Sequence, residues 1–135
     1  MYSLFYVLNK ILTVENQINK KIYKQFYKLF VILNEDEWIK DYIFWELEVI
    51  KLVGYDINFN NYVDLSKINE NNTYVPTFDG SKEIPSFLLN KNKTEIKKQE
   101  LKNGLKIVGD YLNKTILTPN NINYPLSRTE FIKLI

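Results

Sequence analysis

A carboxylate placed within an apolar helical face is the feature that most constrains how this chain folds. Residues 42–58 read YIFWELEVIKLVGYDIN. At about 100° per residue, a helix there has one apolar arc and one charged arc, with Phe44 an outlier among the charges. Glu46 falls inside the apolar arc, whose members are Trp38, Ile39, Tyr42, Ile43, Trp45, Val49, Ile50, Leu52 and Val53. Because a buried carboxylate is costly unless it is paired, the fold must supply a cation or Glu46 must have a chemical role.

The composition predicts one globular domain and narrows the chemistry available to it. The chain has 135 residues, of which 45% are hydrophobic and 25% are charged, typical of a single folded core. Its formal net charge of +2 is too small to predict nucleic-acid binding by itself. The absence of Cys excludes disulfides, zinc-thiolate sites and thiol nucleophiles, and the absence of His removes the usual general base. We therefore expect no enzyme activity, no metal and no cofactor.

The first residues, MYSLFYVLNKILTV, predict a core helix rather than a signal peptide. Asn9 and Lys10 interrupt the apolar run, and neither a basic leader nor a small-residue cleavage site is present. No run approaches the roughly 18 apolar residues of a membrane span. The predicted location is cytoplasmic, without a membrane partner.

The chain is predicted to be all-α, with about five helices and one long irregular loop at 55–93. The helices are expected at 2–13, about 16–33, a third that stops at Gly54, about 94–116, and a last short one containing FIKLI. In the second helix the predicted buried face consists of Ile18, Ile22, Phe26, Leu29, Phe30 and Leu33. We interpret residues 1–135 as a single helical domain.

Local signals mark where the predicted helices begin. Asn34 with Glu37 resembles an N-terminal cap for the third helix, and Ser127 with Glu130 forms a capping-box pattern before the last one. In the fourth helix, Gly104 and Gly109 each cost about 1 kcal/mol relative to Ala. We expect close packing to explain these two glycines.

Turn residues dominate the long loop. Residues 73–75 precede the pair Asp79-Gly80 and are predicted to form a small hairpin, which Pro76 limits in length. Loops of this length tend to be functional or tethered.

A series of short motifs runs through nearly the whole chain. An aromatic-Glu-Leu signature and a Leu-x-Gly-aromatic helix end occur in FWEL at 44–47 and LVGY at 52–55. A loop with an aromatic-Val pair and a turn glycine follows, matched by YV at 74–75 and Gly80, and then a Pro with a Leu pair, matched by PSFLL at 85–89. The series closes with a glycine-containing helix at 105–112 and with YPLSR at 124–128. Together these motifs resemble the C-terminal helical domain of the RecO family of bacterial recombination mediators. Arg128 fits this resemblance well, because it is the only arginine in a chain that otherwise uses lysine.

The chain departs from the family pattern in two ways. Many relatives bind zinc through cysteines in the loop after the long helix, and Tyr62 lies about where the first of them would fall. Family members also begin with an OB-fold, a small DNA-binding β-barrel, and nothing here has the pattern of five alternating strands. The chain is therefore predicted to be a fragment or the product of a late-starting frame. The long loop is either a partner-docking arm or a loop whose metal was lost.

Two interpretations of Glu46 follow. It is either a general acid or base with a raised pKa, or a structural carboxylate paired with a cation. We favour the second interpretation, with Arg128 as the partner, because a planar guanidinium suits bidentate pairing.

Two groups of lysines are candidate contacts for DNA or for an acidic partner. Lys20, Lys21, Lys24 and Lys28 form a basic stripe on the second helix. Lys97, Lys98 and Lys102 belong to a second group with Lys91, Lys93 and Lys106. The alternative for both groups is a solvated face. Tyr and Phe residues near them either stack on exposed bases or belong to the core.

The resemblance implies a protein of DNA repair and homologous recombination that works by binding. Such a mediator helps to load the recombinase on single-stranded DNA and anneals strands, with RecR and the single-stranded-DNA-binding protein as partners, and would be cytoplasmic and nucleoid-associated. DNA binding is expected to be weak without the OB-fold. A hydrophobic groove edged by lysine would take the acidic, aromatic-ended tail of the single-stranded-DNA-binding protein. The alternatives are a degenerate remnant with a structural or interaction role, and a small enzyme that uses Glu46.

Overall fold

The computed structural model describes residues 16–69 and 71–135, and this part of the chain is mostly helical. Its α-helices are α1 (Asn16–Leu33), α2 (Trp38–Leu52), α3 (Lys98–Leu112) and α4 (Leu126–Leu134). A two-stranded antiparallel sheet joins β1 (Tyr74–Pro76) to β2 (Glu83–Pro85). The predicted helix at 2–13 lies outside the described residues. None of the described helices has the length and apolarity that crossing a membrane requires.

Helix α2 lies in the middle of the core. It packs against α1 on one side and against α3 on another. Trp45 stabilises the contact with α1, because its indole Nε1 donates a hydrogen bond of 2.9 Å to the Gln25 carbonyl in that helix. The most deeply buried core side chains are Tyr42, Ile43, Val49, Val63, Val75, Phe87, Leu105, Val108 and Leu117.

The buried face of α1 is narrower than predicted. Ile22 and Leu29 are buried as expected, but 68% of Phe30 is exposed. Phe30 follows Leu29 by one residue, so it points about 100° away from the centre of the buried stripe. The assignment of Phe30 to the core is therefore wrong, and its ring lies on the outside of the helix.

Gly54 ends α2 as predicted. Its φ of +97° is in the left-handed region that glycine adopts without strain. The Gly54 N–H donates to the Lys51 carbonyl and the Tyr55 N–H donates to the Ile50 carbonyl, at 3.0 and 3.1 Å. These two bonds satisfy carbonyl groups that the helix end would otherwise leave unpaired.

The predicted start signals of α2 and α4 are wrong. Asn34 does not cap α2, because its side-chain amide instead donates to the Phe30 carbonyl and closes the end of α1. Ser127 lies inside the first turn of α4, which Pro125 precedes. At the start of α3, by contrast, a carboxylate does form a capping hydrogen bond. Glu100 accepts it from the Lys97 backbone N–H at 2.8 Å.

The loop at 55–93 is organised by the predicted hairpin. Val75 pairs with Ile84 across the sheet, and both side chains are buried. Asp79 shapes the turn by accepting hydrogen bonds from the Thr77 hydroxyl and from the backbone N–H and hydroxyl of Ser81. Short 3-10 turns occur elsewhere in the loop at Phe59–Asn61, Leu65–Lys67 and Ser86–Leu88.

Helix α3 approaches its neighbours at two glycines, as expected. A Cβ on Gly104 would lie 2.6 Å from Cζ of Phe87 in the loop. A Cβ on Gly109 would collide with the Tyr124 hydroxyl and lie 2.8 Å from Arg128 Nε. The helix begins at 98 rather than 94, because the backbone of Lys97 is extended, and a π-helical turn carries it on to Leu117.

Candidate partner-binding surfaces and the buried ion pair

Glu46 and Arg128 form a buried ion pair that joins three helices. Arg128 Nη1 in α4 donates to Glu46 Oε1 in α2 at 2.5 Å. The second terminal nitrogen, Nη2, donates to the Leu105 carbonyl in α3 at 3.0 Å. The pairing predicted from the sequence is present, but the fork is shared between a carboxylate and a carbonyl rather than being bidentate on Glu46.

The surroundings of the pair are aromatic and closed to solvent. Burial, followed by the negative charge of Glu46, raises the pKa of Tyr42 above its ordinary value. Burial acts to lower the pKa of Arg128, but the attraction of the Glu46 carboxylate outweighs it and leaves that pKa raised. Burial also raises the pKa of Tyr124, against the opposing effect of Arg128. Both tyrosines therefore stay neutral and the guanidinium stays charged at any ordinary pH.

The position of Glu46 supports the structural interpretation of this residue. Its exposed fraction is 0%, and that of Arg128 is 2%. A general acid or base must come within hydrogen-bonding distance of a substrate atom. Glu46 instead meets Arg128 inside the core, so the described structure provides no route for a substrate to reach it.

The predicted lysine stripe lies on the solvent side of α1. Lys20, Lys21, Lys24 and Lys28 are all exposed. Lys28 reaches across to α2, where its Nζ is 3.3 Å from Glu48 Oε2. Both partners are largely exposed, so this bond contributes little to stability.

The second lysine group is divided by the structure. Lys97 and Lys98 are exposed at the start of α3, and Lys102 is half-buried one turn later. Lys93 turns inward instead, with its Nζ 3.3 Å from Glu100 Oε1 and 2.8 Å from the Ser86 hydroxyl. Lys91 and Lys106 are exposed like Lys97 and Lys98, whereas Lys93 is partly buried and engaged with Glu100 and Ser86.

An apolar groove of about 460 Å³ runs between α1 and α2, and we call it the α1–α2 groove. Its lining combines apolar and aromatic side chains with two lysines and two acidic residues. The lining residues are Tyr27, Lys28, Val31, Ile32, Asp41, Phe44, Trp45, Glu48 and Lys91.

Phe44 and Lys91 separate the α1–α2 groove from a smaller one of about 280 Å³ between α2 and the loop. The Lys91 ammonium lies 5.3 Å from the centre of the Phe44 ring. The Phe44 ring also meets Phe87 in a T-shaped arrangement, with 6.2 Å between the centroids. The sequence signal for this feature was the place of Phe44 among charged residues, which an ordinary surface position does not explain.

The sequence pattern is compatible with two positions for the aromatic residues near the lysine stripe, in the core or on the surface. The structure places Tyr23 and Tyr27 outside, with exposed fractions of 66% and 77%. Together with Phe30 they form an exposed aromatic row along α1. The available signal was their spacing, since Tyr23 and Tyr27 are one turn apart and adjacent to Lys24 and Lys28.

The described residues include no group of three or more Asp or Glu side chains arranged to hold a metal ion. No family model, no curated protein and no solved structure matches this chain. The surfaces of the molecule and the motifs in its sequence are therefore the features that bear on its function.

Proposed function

We propose that this chain is the helical part of a recombination mediator of the RecO type, acting in DNA repair by binding partner proteins and single-stranded DNA. The proposed partners are RecR and the single-stranded-DNA-binding protein. The mediator performs no bond chemistry. Its role is to hold the partners and the strand together while the recombinase is loaded.

The observation that carries the proposal is the α1–α2 groove. Val31 and Trp45 provide apolar surface in which an aromatic side chain can be buried, and two lysines, Lys28 and Lys91, line the groove together with Asp41 and Glu48. An acidic tail that ends in an aromatic residue needs both features. Lysines raise the rate of its encounter, and burial of the ring supplies most of the affinity.

Two further observations support the proposal. The motif residues Glu46 and Arg128 meet across 82 positions of sequence, so the motifs that resemble the family also act together in the core. In addition, Lys97 and Lys98 leave a second exposed basic site on α3 for a strand or for a partner.

A peptide-binding measurement tests the groove directly. A fluorescent acidic peptide ending in phenylalanine is titrated with the chain, and fluorescence anisotropy reports its affinity. Lys91→Glu should weaken binding by about fivefold, because one attractive surface contact becomes a repulsion. Lys133→Glu, an exposed lysine on α4, is the matched control and should leave the affinity unchanged.

Affinity capture tests the partners. Immobilised chain should retain purified RecR or the single-stranded-DNA-binding protein, and Lys91→Glu should reduce retention of the latter. Retention of neither protein would reject the mediator function and would favour a degenerate remnant. Equal retention by the Lys91→Glu and Lys133→Glu variants would remove the groove from the proposal.

A further inference from the structure

The outward face of α1 carries two parallel rows of side chains. Tyr23, Tyr27 and Phe30 form the aromatic row, which is largely exposed. Lys20, Lys24 and Lys28 form the lysine row, in which each residue is one turn from the next. Side chains three or four residues apart on a helix have their Cβ atoms about 5–6 Å apart. Along the helix axis, this face therefore presents an aromatic ring beside a lysine ammonium group at successive turns.

The aromatic row is not required for the core. Ile22 and Leu29 occupy the opposite side of α1 and are buried. The Tyr23 ring lies against Phe26, with 6.0 Å between centroids, which limits its rotation without covering it. Contiguous exposed apolar side chains of this size are typical of an interaction surface.

The charge of the face selects an anionic partner. Helix α1 has no Asp or Glu between residues 16 and 33. Lys20, Lys21 and Lys24 form no ion pair with any residue that the structure describes. A second copy of the chain docking on the same face would bring these lysines towards one another, and this repulsion opposes self-association.

We propose that the outward face of α1 binds single-stranded nucleic acid, with bases stacked on the aromatic row and phosphates beside the lysine row. Single strands present a ring and a negative charge at every nucleotide, matching the repeat of the two rows. A duplex keeps its base faces stacked internally and offers only the charge. This inference rests on the proposed function, and it names the surface that holds the strand.

Strand binding is tested with the full 135-residue chain and fluorescent oligonucleotides. A strand of about fifteen thymidine nucleotides should bind at least about fivefold more tightly than an abasic strand of equal length, because stacking contributes about 1–3 kcal/mol per base. Tyr23→Ala should reduce this difference in binding free energy by about a third, because it removes one of the three rings of the aromatic row. Phe78→Ala, which removes an exposed ring in the hairpin turn, is its matched control and should keep the difference.

The lysine row is tested by the salt dependence of the same binding. Each of Lys20→Gln and Lys24→Gln should reduce the slope of log affinity against log salt by about 0.7, the value for one lost phosphate contact on a single strand. Lys82→Gln, on the exposed hairpin turn, should leave the slope unchanged. Circular dichroism verifies that every variant is folded.

Several outcomes would overturn the inference. They are equal affinity for the thymidine and abasic strands, no measurable affinity for either, and unchanged binding by Tyr23→Ala. Loss of acidic-peptide binding by Tyr23→Ala, with strand binding intact, would assign the face to a protein partner. Because Tyr23 and Lys20 do not line the α1–α2 groove, failure here leaves the Lys91→Glu experiment able to support the mediator function separately.

Discussion

At the scale of single residues, the buried pair Glu46–Arg128 is the contact whose disruption should cost the most. Arg128→Met should destabilise the protein by about 3–5 kcal/mol, because it leaves a buried carboxylate without its counter-charge. The double variant Glu46→Gln, Arg128→Met should recover part of this loss, since the uncompensated charge is then gone. Urea denaturation followed by circular dichroism measures both free energies of unfolding. Equal stability of the single and the double variant would contradict the pairing energetics.

Gly109 presents a second prediction at this scale. Substitution by Ala normally stabilises a helix interior by about 1 kcal/mol. Here the added methyl group would meet Tyr124 and Arg128, so Gly109→Ala should instead destabilise the protein by about 1–3 kcal/mol. Asp110→Ala, at the neighbouring exposed position, is the control and should change stability by less than about 0.5 kcal/mol. Thermal unfolding of the two variants distinguishes these results.

At the scale of elements, the β1–β2 turn depends on Asp79. Hydrogen bonds from the Thr77 hydroxyl and from Ser81 lower the pKa of the Asp79 carboxyl from 3.8 to about 2. Since the folded pKa is depressed, the turn is stabilised above pH 3.8, and this contribution is lost as the pH falls towards 2. An NMR titration of the Asp79 carboxyl carbon should therefore have a midpoint near pH 2. Thr77→Val should move that midpoint upwards, and a wild-type midpoint near 3.8 would rule out these bonds.

Local sequence patterns predict the interiors of the helices and the hairpin, but they do not predict where α2 and α4 begin. Apolar periodicity predicts 16–33, and a left-handed glycine predicts the end of α2, because both signals are contained in a few neighbouring residues. Asn34 and Ser127 have the right chemistry for caps, but the chain uses Asn34 to end α1 and continues α4 through Ser127. Such choices depend on how the next helix packs, which a local pattern does not contain.

The candidate site likewise has one part that the sequence predicts and one part that it does not. Glu46 and Arg128 are predictable, since a carboxylate in an apolar face and the only arginine each stand out in one sequence. The α1–α2 groove is not predictable, because its walls come from two helices and from Lys91 in a distant loop. Its position depends on tertiary packing.

At the scale of the whole molecule, α4 holds the fold together although it is short. Arg128 reaches α2 and α3, and the Phe131 ring stacks on Trp38 with 5.8 Å between centroids. A chain shortened to end before Leu126 should therefore lose cooperative unfolding altogether, rather than only fraying at its end. Removal of Leu134 and Ile135 alone should leave the transition intact, because Leu134 is 85% exposed. Calorimetry checks both, and a cooperative transition in the shorter chain would show that α4 is dispensable.

The solitary guanidinium has a practical consequence for chemistry on this protein. Dicarbonyl reagents that modify arginine have one possible target in the sequence, Arg128, and the folded protein encloses it at 2% exposure. Modification therefore requires the core to open. The rate at which the Arg128 adduct accumulates therefore reports how often α4 separates from the other helices, and no probe has to be introduced to measure it.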